Sequence, residues 1–202
     1  MSDMWDIENE LFAQGIQLIC GVDEAGRGPL AGPVCAAAVI LPPNIEIPGL
    51  NDSKKLSDKK RRELFPIIKE SAIAYGIAFA DHAEIDKINI LQATFLAMER
   101  AILQLQVKPE YALIDGNRAK DFGLPVKTVV HGDSLSASIA AASILAKVTR
   151  DDWMEMAANE YPEYKFEVHK GYGTKAHYEA LDQFGPCDIH RMTFLKKRYG
   201  NQ

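Results

Sequence analysis

CGVDEAGRGPLAGPV, residues 20–34, is the stretch on which the fold turns. Its first half completes an apolar run, QLICGVD at 17–23, that ends on two acids, Asp23 and Glu24. A Gly- and Pro-rich turn, EAGRGPLAGP, follows, and a second apolar run, VCAAAVIL at 34–41, comes after it. Two strand-like runs joined by such a turn predict an antiparallel hairpin with a longer loop.

Working outward, AIAYGIAFA at 72–80, YALID at 111–115 and VKTVV at 126–130 read as three further strands. Helical patterns lie between and after them. Residues 57–69 start with a Ser cap. Residues 89–105 carry Leu91, Phe95, Met98, Ile102 and Leu105 on one stripe. Residues 134–159 form the longest helix candidate, and its many alanines and serines permit close packing on a sheet. A helix begins near Thr174, and another precedes the basic C-terminus. Three strands, a helix, then strand–helix units imply an α/β domain with a mixed five-stranded sheet flanked by helices. The whole chain, 1–202, reads as one domain. From about 162 to 202 it forms a small C-terminal helical appendage, with Pro162 and the Gly171–Gly173 turn at the junction.

Hydrophobic residues make up 47% and charged residues 25% of the chain, the balance of a globular protein. The start lacks a basic segment followed by an apolar core, so it does not read as a signal peptide. The apolar runs are too short for a membrane span. Three cysteines without a C-x-x-C argue against a disulfide framework or zinc knuckle. Cys20 and Cys35 read as small buried hydrophobes. The expectation is a cytoplasmic protein, monomeric, with no membrane and no obligate protein partner.

The net charge of −5 argues against a polyanionic partner, but its distribution argues for one. Residues 54–62, KKLSDKKRR, hold six bases and one acid, and residues 191–198, RMTFLKKR, hold four bases and no acid. Local basic segments on an acidic body can steer nucleic acid to one face. Each run alone reads more readily as a solvated helix face or an ordinary basic tail than as a binding surface.

Acids that end apolar strands and run into glycines mark a site in an α/β sheet. Asp23 and Glu24 do this, and so does Asp115 before Gly116. If the first and fourth strands are neighbours, the three lie together. Asp133 follows the fifth strand and precedes the long helix; it is either a fourth member or the helix cap, with Ser134 as the alternative cap. Gathered carboxylates raise each other's pKa unless cations intervene. Hard oxygen ligands suit Mg²⁺ or Mn²⁺, and two such ions can drive phosphodiester hydrolysis.

With these motifs in view the chain resembles the bacterial type 2 ribonucleases H, the ribonuclease HII family. The resemblance rests on GVDEAGRGPLAGPV at 21–34, DSKKLS at 52–57, IDG at 114–116, GDSLSASIAAASILAKVTRD at 132–151 and HKGYGT at 169–174. It implies a ribonuclease H-like fold. It also implies an endonuclease that hydrolyses the RNA strand of RNA–DNA hybrids and cuts 5′ of a single ribonucleotide in duplex DNA, leaving 5′-phosphate and 3′-hydroxyl ends. The corresponding role is removal of misincorporated ribonucleotides and RNA primers. The implied metal ligands are Asp23, Glu24 and Asp115, with Asp133 as the fourth acid for two Mn²⁺ or Mg²⁺ ions. Asp151 competes with Asp133, but a helix from 134 would carry it about 26 Å away. The family's Gly-Arg-Gly element falls on Gly26, Arg27 and Gly28, where glycines admit the backbone to a 2′-hydroxyl and Arg27 can hold a phosphate. Tyr172 matches the tyrosine that packs on the sugar beside the ribonucleotide. Lys54, Lys55, Lys147, His169 and Lys170 are candidate phosphate contacts.

Two other readings compete. A junction resolvase or transposase-like nuclease would share the carboxylates without needing Gly26-Arg27-Gly28 or Tyr172. A non-catalytic nucleic-acid module would use the basic runs but has no reason to gather acids beside them.

Overall fold

The computed structural model describes residues 4–51, 53 and 55–200. In chain order the elements are α1 (Asp6–Phe12), β1 (Ile19–Ala25), β2 (Val34–Ile40), α2 (Asp58–Ser71), β3 (Ala74–Ala80), α3 (His82–Leu103), β4 (Tyr111–Asp115), β5 (Val126–Val129), α4 (Ala137–Glu160), α5 (Phe166–His169), α6 (Lys175–Phe184) and α7 (Met192–Tyr199). The sheet order is β3-β2-β1-β4-β5. β1 pairs antiparallel with β2, and β2 with β3. β1 pairs parallel with β4, and β4 with β5. The expected hairpin and mixed sheet are both present, and β1 and β4 are neighbours.

Helices cover both faces, which is why β2 reads as one unbroken apolar run. Its side chains alternate between two cores. Val34, Ala36, Ala38 and Ile40 pack with Ala93, Ala97 and Met98 of α3. Cys35, Ala37 and Val39 pack with Leu64 and Ile68 of α2 and with Ala141 and Leu145 of α4. Cys20 and Cys35 are fully buried, as the sequence suggests. No helix among the described residues is long and apolar enough to cross a membrane.

Two helices approach the sheet closely because a glycine lies beneath each. A Cβ on Gly21 of β1 would stand 2.1 Å from the backbone carbon of Ser138 in α4. A Cβ on Gly76 of β3 would stand 2.1 Å from the carbonyl oxygen of Ala101 in α3.

Several boundaries differ from the sequence expectation. α1 was not anticipated. α3 starts at His82 rather than near Asn89, because Asp81 and Glu84 form a reciprocal capping box. Asn89, at φ 67, interrupts the helix where the sequence pattern places its start. α4 starts at Ala137 and is capped by the Ser136 side chain, which accepts from the Ile139 N–H. Neither Asp133 nor Ser134 serves as that cap; both lie in a preceding 3₁₀ turn, Gly132–Ser134.

The segment after α4 packs as a third core. Leu30 and Ala31 of the hairpin loop meet Met154 of α4, Phe166, Leu181 and Leu195 there. The backbones also join. The Leu30 N–H donates to Gly171 O at 2.8 Å, and the Arg191 N–H donates to Leu30 O at 2.8 Å. The appendage therefore grips the loop between β1 and β2.

Gly21→Ala tests the close seating of α4. The obstructing atoms are backbone and cannot rotate away, so the expected loss is about 3 kcal/mol, the upper part of the usual overpacking range. Chemical denaturation measures it; an unchanged midpoint would contradict the close-packing account.

Candidate active site

The parallel pairing of β1 and β4 brings Val22 beside Ile114, so the acids that follow on each strand share one sheet end. Strand alternation then separates the two acids of β1. Asp23 is on the α4 side and is buried at 4% exposure. Its carboxylate interacts with the Ser143 hydroxyl and accepts the Glu24 N–H at 2.6 Å. Ser143 in turn shares a 2.6 Å hydrogen bond with Ser53 of the DSKKLS segment. Glu24 points towards α3, where it lines a cleft with Leu91, Thr94, Asp115 and Arg118. Asp115 accepts the Gly132 N–H at 2.7 Å.

Burial raises the Asp23 pKa well above the ordinary carboxylate range, and the charges of Glu24 and Asp115 raise it further. Arg27 brings a cation to this group, with its Nη1 3.4 Å from Glu24 Oε1. A second cleft, of about 250 Å³, is lined by Asp23, Glu24, Asp115, Gly26, Arg27, Gly28, Ser143, Lys147 and Tyr172. Three of the four sequence-selected acids thus face one opening with the Gly-Arg-Gly element and the selected tyrosine. Tyr172 is 43% exposed. A Cβ on Gly28 would lie 3.5 Å from its ring, so loop and ring form one wall.

Asp133 is placed differently. It is buried at 2% exposure and lines neither cleft. Its neighbour Gly132 donates its N–H to Asp115. The helix-length argument against Asp151 does not discriminate, because the cleft opens midway along α4, beside Ser143 and Lys147. Asp151 is instead occupied by Lys147 at 2.8 Å.

The candidate phosphate contacts also divide. Lys147 lines the cleft. Lys55 is exposed, and Lys54 lies outside the described residues. His169 is buried; its Nε2 donates to Tyr164 O at 2.8 Å and its Nδ1 accepts the Gly171 N–H, so it does not face a phosphate. Lys170 is paired with Glu155 at 2.8 Å and also donates to Glu167 O. The basic runs shrink in the same way. Arg61 donates to Ser53 O and Leu56 O, and Arg62 is shared among Asp58, Asp152 and Glu155. Arg191 is fully buried, and Arg198 pairs with Asp182.

Sequence reasoning missed the groups that hold the walls. Ser53 and Ser143 steady Asp23. Arg150 and Arg191 lie buried behind the hairpin loop. A signal for Arg150 exists: it falls on the Ala142–Ala146–Met154 stripe of α4, where a charge is out of place. Behind Tyr172 lies a chain of neutral imidazoles. His177 Nδ1 must donate to Tyr172 O at 2.9 Å, since a carbonyl only accepts. His177 Nε2 therefore accepts from His190 Nε2 at 3.0 Å, and His190 Nδ1 accepts the Cys187 N–H at 2.9 Å.

A sheet of this order, with acids from two adjacent strand ends at one cleft, defines a nuclease of the ribonuclease H type. Comparison with known proteins places it within that class. The family model described as Ribonuclease HII matches residues 20–197. The Ribonuclease HII of Endomicrobium trichonymphae is 57% identical over 195 residues, covering 96% of this chain and 92% of that protein. The crystal structure of ribonuclease H2 from Pyrococcus horikoshii OT3 superposes with a TM-score of 0.74 at 28% identity, covering 92% of this chain and all of that one. A crystal structure of Bst-RNase HIII in complex with Mn²⁺ shares the fold, with a TM-score of 0.63 at 20% identity, covering 84% of this chain and 63% of that one. The chain belongs to the ribonuclease HII family. It is a ribonuclease H, a hydrolase of the RNA in RNA–DNA hybrids.

The imidazole chain makes a pH prediction. Burial, then the charge of His177, lowers the His190 pKa from 6.5 to about 4. The unfolded chain gains its proton first, so stability is complete above about pH 6.5 and falls as pH drops towards 4, by up to about 3 kcal/mol from this group. Thermal melts of wild type and His190→Gln between pH 4 and 7 measure it. The variant should show a flatter slope; parallel slopes would contradict the neutral-histidine assignment.

Proposed function

We propose that this enzyme cuts the RNA strand of RNA–DNA hybrids and also cuts duplex DNA 5′ of a single embedded ribonucleotide. The products are a 5′-phosphate and a 3′-hydroxyl, which suits removal of misincorporated ribonucleotides and RNA primers. The supporting observation is one cleft lined by Asp23, Glu24 and Asp115 together with Gly26, Arg27, Gly28 and Tyr172.

The donor set fits hard divalent cations, Mn²⁺ or Mg²⁺, because the oxygens gathered here are carboxylates whose mutual repulsion a cation relieves. Asp23, Glu24 and Asp115 would hold two such ions, with Asp133 as the fourth acid. Among the described residues no three His, Cys, Asp or Glu side chains form a ready-made metal cage. Bound there, two ions would supply Lewis-acid chemistry to the phosphodiester, at the attacking water and at the leaving oxygen.

The chain's own groups do the rest. Ser143 and the Glu24 N–H orient the Asp23 carboxylate. The Gly132 N–H orients Asp115. Arg27 is long enough to leave Glu24 for a phosphate oxygen. Tyr172 presents a flat ring beside Gly28 that suits a deoxyribose and crowds a 2′-hydroxyl.

A duplex carrying one ribonucleotide tests the reading. The wild-type protein with Mn²⁺ or Mg²⁺ should cut 5′ of the ribonucleotide and leave the all-DNA duplex intact; equal cutting of both would overturn the 2′-hydroxyl reading. Asp23→Asn should lower kcat/KM on the order of 10³-fold with the fold retained. Tyr172→Ala should lose about tenfold or more on the single-ribonucleotide duplex and less on a long hybrid. Equal losses on the two substrates would remove Tyr172 from junction recognition.

A further inference from the structure

Two arginines sit fully buried behind the Gly-Arg-Gly loop, at 1% exposure for Arg150 and 0% for Arg191. Each spends its guanidinium on backbone carbonyls. Arg191 donates from Nη2 to Gly26 O at 2.7 Å, from Nη1 to Arg27 O at 2.9 Å and from Nε to Gly32 O at 2.9 Å. Arg150 donates to Pro33 O at 3.0 Å, to Ala31 O at 3.3 Å and to Lys170 O at 3.1 Å. Arg150 also lies 5.9 Å from the centre of the Tyr172 ring. Burying two like charges side by side is costly, and plain loop anchoring could be done with neutral donors.

The geometry has a direct consequence for the loop. In a trans peptide the C=O and the following N–H point in opposite directions. Among the described residues no peptide bond is cis. With Gly26 O and Arg27 O both drawn back onto Arg191, the N–H groups of Arg27 and Gly28 are turned the other way, into the cleft that these residues line. Successive N–H groups facing one point make a concave donor site for an oxygen. Gly26 allows the arrangement for a specific reason. Its φ is +96, and a Cβ there would fall 1.8 Å from Arg150 Nε. The space beside Gly26 is thus taken by Arg150.

We propose that Arg191 is the positioning residue of the ribonucleotide-recognition loop: by holding Gly26 O and Arg27 O it aims the Arg27 and Gly28 N–H groups at the ribose–phosphate oxygens of the substrate. Arg150 fixes the other half of the loop and ties it to the strand of chain that carries Tyr172. The planar fork of the guanidinium holds these carbonyls at a fixed spacing, which the compact, freely rotating ammonium of a lysine does not impose. This inference rests on the reading of the cleft as the substrate site.

The test uses Arg191→Lys and Arg191→Gln in the full chain, with cleavage of a single-ribonucleotide duplex and of a long hybrid measured side by side, and thermal melts as a check of folding. Both variants should lose at least tenfold in kcat/KM on the single-ribonucleotide duplex, with the loss on the long hybrid smaller and Mn²⁺ binding unchanged. A folded variant that keeps full activity on both substrates would overturn the proposal, as would an equal loss on both. A second measurement holds if the variants fail to fold. In the wild type, the amide resonances of Arg27 and Gly28 should shift and gain exchange protection on binding an uncleavable hybrid; unaltered amides would overturn the proposal. If wild type does not cut at the ribonucleotide at all, the functional reading itself fails, an outcome separable from the two above.

Discussion

Three carboxylates share the end of one pair of parallel strands, and most of the molecule is arranged to make that tolerable. β1 and β4 pair so that Asp23, Glu24 and Asp115 follow the last paired residues. Left alone they would repel, and the raised pKa of Asp23 records the strain of burial and of its two neighbours. The fold meets this by orienting each acid with fixed donors. The Glu24 N–H and the Ser143 hydroxyl serve Asp23, and the Gly132 N–H serves Asp115. Divalent cations are the natural counter-charge for such a set, and this membership of the ribonuclease HII family fits that chemistry.

The same constraint explains the helix that crosses behind the acids. α4 supplies Ser143 and Lys147 to the cleft only because Gly21 lets its backbone sit against β1. One turn further on, the Arg150 side chain reaches out from the helix to anchor the hairpin loop. The appendage completes the frame. Arg191 holds the Gly-Arg-Gly carbonyls, and the His177–His190 pair holds the backbone of Tyr172 from behind. Under the proposed function, chemistry and recognition share one loop that three separate parts of the chain stabilise.

Much of this was legible beforehand, and the exceptions have physical reasons. The strands were readable because β1, β2 and β4 are apolar runs, and the acids that close β1 and β4 marked the candidate site. The start of α3 was missed because the Asp81–Glu84 capping box precedes the apolar stripe. His169 and Lys170 looked like phosphate ligands because they flank Tyr172, yet one is buried and the other is paired. The basic run at 54–62 overstated the electrostatic footprint, since Arg61 and Arg62 are consumed by local contacts. Ser143 and Arg191 were invisible because their roles depend on which side of a helix or loop faces the hairpin, and that is settled only by tertiary packing; Arg150 did leave a signal, as a charge on an apolar stripe of α4.

The central claim is that the acids of β1 and β4 act together as the seat of divalent cations. Mn²⁺ titration followed by electron paramagnetic resonance, with the protein bound to an uncleavable hybrid, tests it most directly. Wild type should take up Mn²⁺ that Asp23→Asn and Asp115→Asn each fail to hold, while both variants still bind the hybrid. Equal Mn²⁺ uptake by all three proteins would contradict the account.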